Sequence, residues 1–229
     1  VAFAGEQTAG RGRSGHDWES PPNVSVATSI ALFPTGVPIE RIPRLTIIAA
    51  IAVAEAIEEL YPLKTSIKWP NDILINDKKI CGILTERHPE LADPQKGVPV
   101  IVGIGVNVHH DSFPGELSDK AISIDMALRE VGEKITTHRK DICVSIWNRF
   151  DALYRVFTEG KGSLASFLDE YNLRLINRNK KVKVLDPNGE YEGVALNIDE
   201  EGRLLVEVGN EIRKIDSGEV SVRGIYGYV

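Results

Sequence analysis

The run from Val98 to Val108 carries two different faces on one strand. Val100, Val102, Ile104 and Val106 point to one side, while Ile101, Gly103, Gly105 and Asn107 point to the other. Successive side chains of a strand alternate sides, so one face here is built to pack and the other is mostly bare backbone. Glycine weakens a strand interior, and two glycines on one face mark close approach of a ligand or of another backbone. The sequence leaves both readings open.

The flanking segments supply the rest of a layered domain. Val1 to Ala4 reads as a strand entering a glycine-rich loop with no methionine before it, so further residues are expected upstream. Val24 to Phe33 is a second buried strand candidate. Apolar and alanine residues recur at helical spacing from Arg44 to Leu60, and Pro62 stops that helix. Two apolar runs, Ile73 to Ile75 and Ile80 to Leu84, flank Asn76-Asp77-Lys78, which predicts a hairpin. Residues 123 to 131 predict a short helix ending at Gly132, His138 to Phe157 a long amphipathic one, and Leu164 to Leu175 a further helix capped by Ser163.

Past Asn177 the pattern changes to short strands broken by Asp186-Pro187-Asn188-Gly189, Asp199-Glu200-Glu201-Gly202 and Gly209-Asn210. Such spacing predicts a small five-stranded barrel, so residues 1–177 and 178–229 are expected to form two domains.

Bulk properties restrict the function classes. A chain of 229 residues with 42% hydrophobic content can bury a substantial core. No apolar run is long enough to cross a bilayer, because Glu55 and Glu58-Glu59 interrupt the longest, and no secretory leader is visible. Cys81 and Cys143 lie in apolar patterns without metal-ligand spacing, consistent with a reducing cytoplasm. A net charge of −6 argues against general nucleic-acid binding, and no DNA binding is expected of this chain.

The chemistry concentrates in three segments. Gly10-Arg11-Gly12-Arg13-Ser14-Gly15 can close several backbone N–H groups on an anion and add two guanidiniums. Lys68-Trp69-Pro70-Asn71-Asp72 places a cation, an amide and a carboxylate around a tight turn, because a residue before proline is held extended. Lys79, near the start of the second hairpin strand, is a third cation source. Asp72 beside phosphate-binding cations suits Mg²⁺ held by one carboxylate and phosphate oxygens. The plainer reading is that Asn71 and Asp72 only build the turn.

Gln7-Thr8-Ala9-Gly10-Arg11-Gly12-Arg13, Lys68-Trp69-Pro70-Asn71-Asp72, Lys79-Ile80-Cys81-Gly82-Ile83-Leu84 and Val102-Gly103-Ile104-Gly105-Val106-Asn107-Val108 resemble, in order and spacing, the motifs of biotin protein ligases. The likeness extends to Gly218-Glu219-Val220-Ser221-Val222-Arg223. It implies an α/β (α+β) fold of the biotin/lipoate ligase type, with a mixed β-sheet flanked by helices and a small C-terminal β-barrel like an Src-homology-3 domain. It also implies activation of biotin by ATP to biotinyl-5′-AMP, then transfer to a lysine of a carrier domain from a carboxylase or decarboxylase. The same resemblance admits a homodimer.

By this resemblance Arg11, Gly12 and Arg13 cover the biotinyl-adenylate and Gln7 contacts biotin. Lys79 binds the carboxylate–phosphate junction and is expected, with Arg13, to be catalytic. Lys68 and Asn71 contact phosphates and Asp72 serves Mg²⁺. Gly103, Gly105 and Asn107 form a flat strand against the adenylate, and Gly10 and Gly82 admit close approach. Trp18 either stacks near adenine or packs beneath the loop, and Arg223 either reaches the nucleotide or is a surface arginine. The loop is expected to act as a lid ordered by ligand.

Two departures from the family stand out. Ser14 and His16 occupy positions where the family loop often carries further basic residues, so the grip on the adenylate is expected to be looser or pH-sensitive. The Ser/Thr-Asn segment that helps recognise biotin and the optional DNA-binding domain lie upstream of this sequence, so weak biotin binding is expected of residues 1–229 alone. The alternatives are a lipoate or octanoate ligase or transferase of the same fold, and a non-catalytic interaction module.

Overall fold

A computed structural model describes residues 1–15, 17–186, 189–217 and 221–224, with the side chains of Ser14 and of 221–224 left out. His16, Gly218, Glu219, Val220 and the Arg223 side chain therefore lie outside the described residues. The larger unit is a six-stranded sheet in the order β1-β2-β6-β5-β4-β3. Its strands are β1 (Ala2–Ala4), β2 (Ser25–Leu32), β3 (Ser66–Lys68), β4 (Asp72–Ile75), β5 (Lys78–Arg87) and β6 (Val100–Asn107). The neighbouring strands all pair antiparallel. The parallel contacts of this sheet are confined to isolated bridges, Ile67 with Leu175 and Lys79 with Ala121.

One face of the sheet carries the core. Val100, Val102, Ile104 and Val106 are buried as their alternation requires. Helix α1 (Leu45–Leu60) lies against them and is buried on almost every side, as expected of a helix whose apolar residues are not restricted to one stripe. It ends at Tyr61, where the chain turns extended, one residue before Pro62. Helix α3 (Arg139–Glu159) packs on α1 and β2 through Ile142, Ile146, Phe150 and Phe157. Trp147 Nε1 donates to Thr28 Oγ1 at 2.9 Å, tying α3 to β2.

Helix α2 (Ile124–Glu130) is capped by Ser123, whose Oγ accepts from the Met126 N–H at 3.1 Å. Helix α4 runs only over Leu168–Arg174, later than its apolar pattern predicts. Leu164 and Phe167 are both buried there. The Ser163 hydroxyl accepts from the Ala165 N–H at 3.3 Å and Phe167 N–H donates to Leu164 O at 2.8 Å. A tighter turn thus replaces the first helical turn and still buries both side chains.

Asn76 and Asp77 close the β4–β5 hairpin with φ of 51° and 62°. A two-residue turn with both residues left-handed follows the twist of its strands, and Asn and Asp tolerate that conformation best among non-glycine residues.

The smaller unit contains β7 (Lys181–Leu185), β8 (Tyr191–Ile198), β9 (Leu204–Val208), β10 (Glu211–Ile215) and β11 (Ser221–Gly224). They form an antiparallel five-stranded sheet in the order β10-β9-β8-β7-β11. The strand pairings among the described residues make this element a five-stranded sheet and do not include one between β10 and β11. No described helix is long and apolar enough to cross a membrane.

Candidate active site

Strand register aligns the predicted site residues in one row across the sheet. Lys68 pairs with Asp72, Asp72 with Gly82, Gly82 with Gly105, and Gly105 with Ala27. Directly opposed residues of antiparallel strands share a face. The row therefore runs from a cation, through a carboxylate and two bare positions, to a methyl group, on the face opposite the core.

A β-bulge brings Lys79 to this face. Cys81 and Ile83 face the core, and simple alternation along β5 would send Lys79 there with them. The β4–β5 register shifts between Ile73 and Leu74: Ile73 faces Cys81, but Leu74 faces Lys79. Ile80 is the extra residue, and it and Cys81 are both completely buried. One inserted residue reverses the alternation beyond it, so Lys79 joins Gly82 on the open face.

There Lys79 Nζ lies 2.6 Å from Asp72 Oδ1. Lys79 is also held by its backbone, donating from N–H to Lys120 O at 2.8 Å and accepting from Ile122 N–H at 3.0 Å. Asn71 Nδ2 donates to Asp72 Oδ1 and to Ile83 O, each at 3.1 Å, and Asn71 Oδ1 accepts from Arg13 Nη1 at 2.8 Å. Arg13 Nη2 donates to the Ser217 carbonyl next to the smaller sheet. Arg13, Asn71, Asp72 and Lys79 thus form one connected set, with buried Lys68 beside Asp72 in the row.

The glycine-rich loop reaches this set as a folded-back ribbon. Gln7 bridges to Ser20 and Arg11 to Asp17, with Trp18 N–H donating to Gly10 O at 3.0 Å. A Cβ on Gly10 would lie 2.3 Å from the Trp18 carbonyl oxygen, so only glycine fits. Gly15, with φ of +75°, completes a short 3-10 turn that begins at Arg13.

The ribbon lays the Trp18 indole on the two bare positions of the sheet. A Cβ on Gly105 would fall 2.4 Å from Trp18 Cε2, and one on Gly82 would fall 3.2 Å from Cζ3. Lys79 Nζ stands 5.8 Å from the ring centroid. The indole Nε1 is buried without a hydrogen-bond partner among the described residues. Such a group normally costs about 1–3 kcal/mol. In this structure the close approach to the Gly82–Gly105 face is made by an aromatic ring from the loop.

Other predicted residues stand apart. Gln7 and Arg11 are exposed. Gly103 lies further along β6, beside the Ser29 hydroxyl. The Asn107 amide donates to Ile122 O at 3.3 Å and is 5% exposed, so here it ties down the segment before α2. Sequence reasoning did not anticipate the Ile83 and Ser217 carbonyls, since backbone acceptors leave no side-chain signature. The matched glycines in β5 and β6 did carry a signal that pairing the two strands would have exposed.

Electrostatics favours an anionic occupant. Burial pulls the Arg13 pKa down, while the Asp72 carboxylate opposes that shift; a guanidinium remains a cation in either case. Arg13, Lys68 and Lys79 outnumber the single carboxylate Asp72. Burial pushes the Cys81 thiol far up, with Lys79 opposing only in part, which leaves it protonated and unsuited to nucleophilic attack. For Mg²⁺, Asp72 offers the right hard oxygen donor, but no group of three or more metal-ligating residues occurs among the described residues. The donor set fits a metal that arrives with phosphate oxygens, not one held by protein alone.

Comparison with known proteins gives this arrangement its context. A family model described as the biotin/lipoate A/B protein ligase family matches residues 1–107, and one described as the biotin protein ligase C terminal domain matches residues 179–223. The bifunctional ligase/repressor BirA of Bacillus subtilis is 41% identical over 225 residues, which cover 97% of this chain and 66% of that protein. The biotin--[acetyl-CoA-carboxylase] ligase of Mycobacterium tuberculosis is 30% identical, with 96% and 77% covered. The structure of Aquifex aeolicus biotin protein ligase in complex with biotin and ATP superposes with a TM-score of 0.80 at 28% identity, covering 97% of this chain and 88% of that one. Both parts of the chain are matched in order, over nearly its whole length, and the chain belongs to the biotin protein ligase family.

Proposed function

We propose that the protein activates biotin with ATP and transfers the biotinyl group to a lysine of a carrier domain. The observation that carries this reading is the joined set Arg13–Asn71–Asp72–Lys79 beside the bare Gly82–Gly105 floor. A biotin carboxylate and an ATP α-phosphate repel each other as they approach. Fixed cations cancel the charge that accumulates as the carboxylate oxygen bonds to phosphorus and pyrophosphate departs. Lys79 is the charge nearest the floor, and exchanging Asp72 for substrate oxygens frees it to act there. Arg13, held by Asn71 and by the Ser217 carbonyl, neutralises the other side.

Lys68 and Asn71 suit contact with the phosphates. Asp72 would hold Mg²⁺, which when bound supplies charge neutralisation on those oxygens. Trp18 gives up the glycine floor to the adenylate, and its Nε1, without a hydrogen-bond partner among the described residues, makes that move inexpensive. Gln7, Gly10, Arg11 and Gly12 complete the covering ribbon, while Gly103 and Asn107 extend the floor. In the second step the carrier lysine amine attacks the acyl carbon and AMP leaves, so no covalent enzyme intermediate is needed.

The same reading takes residues 1–177 as the catalytic domain and 178–229 as a small barrel. A separate second sheet beginning at Lys181 supports this, as does the second family match beginning at residue 179. A relative named biotin--[acetyl-CoA-carboxylase] ligase supports a carboxylase carrier domain as the acceptor. Pyrophosphate exchange separates the rivals: biotin is expected to stimulate it, and lipoate and octanoate are not. Exchange driven by lipoate or octanoate instead would replace this reading with a lipoate or octanoate ligase of the same fold.

A further inference from the structure

Tyr171 lies in α4 with its side chain completely buried, and its hydroxyl donates to the Pro70 carbonyl at 3.2 Å. That carbonyl is the last backbone acceptor before Asn71 and Asp72, the two side chains that meet Arg13 and Lys79. One residue earlier, Trp69 N–H donates to Asn177 Oδ1 at 3.1 Å, and the Trp69 indole donates to Gly202 O at 3.0 Å. The turn is therefore anchored at successive residues, and Tyr171 holds the end nearer the charged groups.

Phenylalanine would fill nearly the same volume in this core without a buried hydroxyl. A buried hydroxyl is costly unless it is bonded, and this one bonds only to the turn among the hydrogen bonds described. Burial and the nearby Asp72 carboxylate raise the phenol well above its ordinary value, so it stays a proton donor throughout the working range.

We infer that Tyr171 is a positioning residue for adenylate formation, its hydroxyl fixing the Pro70 carbonyl and through it the aim of Asn71 and Asp72 toward the nucleotide phosphates. This inference rests on the ligase reading and deepens it. It predicts a selective effect. Adenylation depends on the placement of phosphate-facing groups, whereas transfer from a finished adenylate requires an already activated acyl group to meet an amine.

The test is Tyr171→Phe in the whole protein, with three readouts: MgATP affinity by calorimetry, biotin-dependent pyrophosphate exchange, and transfer to a carrier fragment from supplied biotinyl-5′-AMP. Loss of one buried hydrogen bond is expected to lower kcat/KM for ATP in exchange by about tenfold and to weaken MgATP binding in the same direction. Transfer is expected to stay within about twofold of the unsubstituted protein. Exchange unchanged within about twofold, or both half-reactions lowered by one common factor, would overturn the positioning role. An unsubstituted protein silent in biotin-dependent exchange would overturn the ligase reading instead, and the MgATP affinity ratio then decides Tyr171 by itself.

Discussion

Replacing Lys79 by alanine is expected to lower biotin-dependent pyrophosphate exchange by about 10²–10³-fold, the usual loss when one preorganised charge-stabilising group is removed. The change should be chemical and not architectural. The backbone of Lys79 is fixed by Lys120 and Ile122, and its side chain reaches Asp72, the Trp18 ring and the space above Gly82. Lys79→Arg is not expected to restore full activity, because the bulge presents a compact ammonium over the floor and a planar guanidinium distributes its charge differently. Steady-state exchange assays with parallel thermal melts check this. Activity within about threefold of the unsubstituted protein would remove Lys79 from the reaction.

Gly105→Val is expected to lower kcat/KM for ATP by about 10²-fold, on the scale by which small misplacements of bound substrate reduce rate. Gly105 lies in the middle of β6 without a positive φ, so a β-branched residue suits its backbone. The cost falls entirely on the space above it. A Cβ there would lie 2.4 Å from the Trp18 ring, which therefore has to leave. Removing the ring as well, in Trp18→Ala/Gly105→Val, relieves that clash but leaves a valine on the floor. The double variant is thus expected to regain thermal stability without regaining ATP turnover. Recovery of both would mean that the glycine accommodates only Trp18 and that the nucleotide lies elsewhere.

Much of the scaffold was legible in the sequence because it depends on local periodicity. The two faces of Val100–Asn107, the Leu45–Leu60 helix before Pro62, and the Asn76-Asp77 hairpin each follow from spacing or turn chemistry within one segment. The site residues were recognisable for a different reason, since four motifs in order resemble one family. Their geometry was not recognisable from either source. Lys79 reaches the open face only because Ile80 is bulged, a feature set by pairing with β4. Two partners of Arg13, Asn71 and the Ser217 carbonyl, lie 58 and 204 residues away. Trp18 could stack or pack, and its position over Gly82 and Gly105 depends on the register of strands far from it in sequence. The later start of α4 was equally hidden: a tight turn ahead of it buries Leu164 and Phe167, and that burial depends on the surrounding core.

Joining biotin to a protein lysine at the expense of ATP leaves two products to follow. The purified protein is combined with biotin, MgATP and a carboxylase carrier fragment, and acceptor mass is followed together with AMP release. One biotinyl group on one lysine, an equal amount of AMP, and loss of both products in Lys79→Ala are expected. An acceptor that stays unmodified with biotin while gaining a lipoyl or octanoyl group, or AMP release with no dependence on biotin, would contradict the ligase reading.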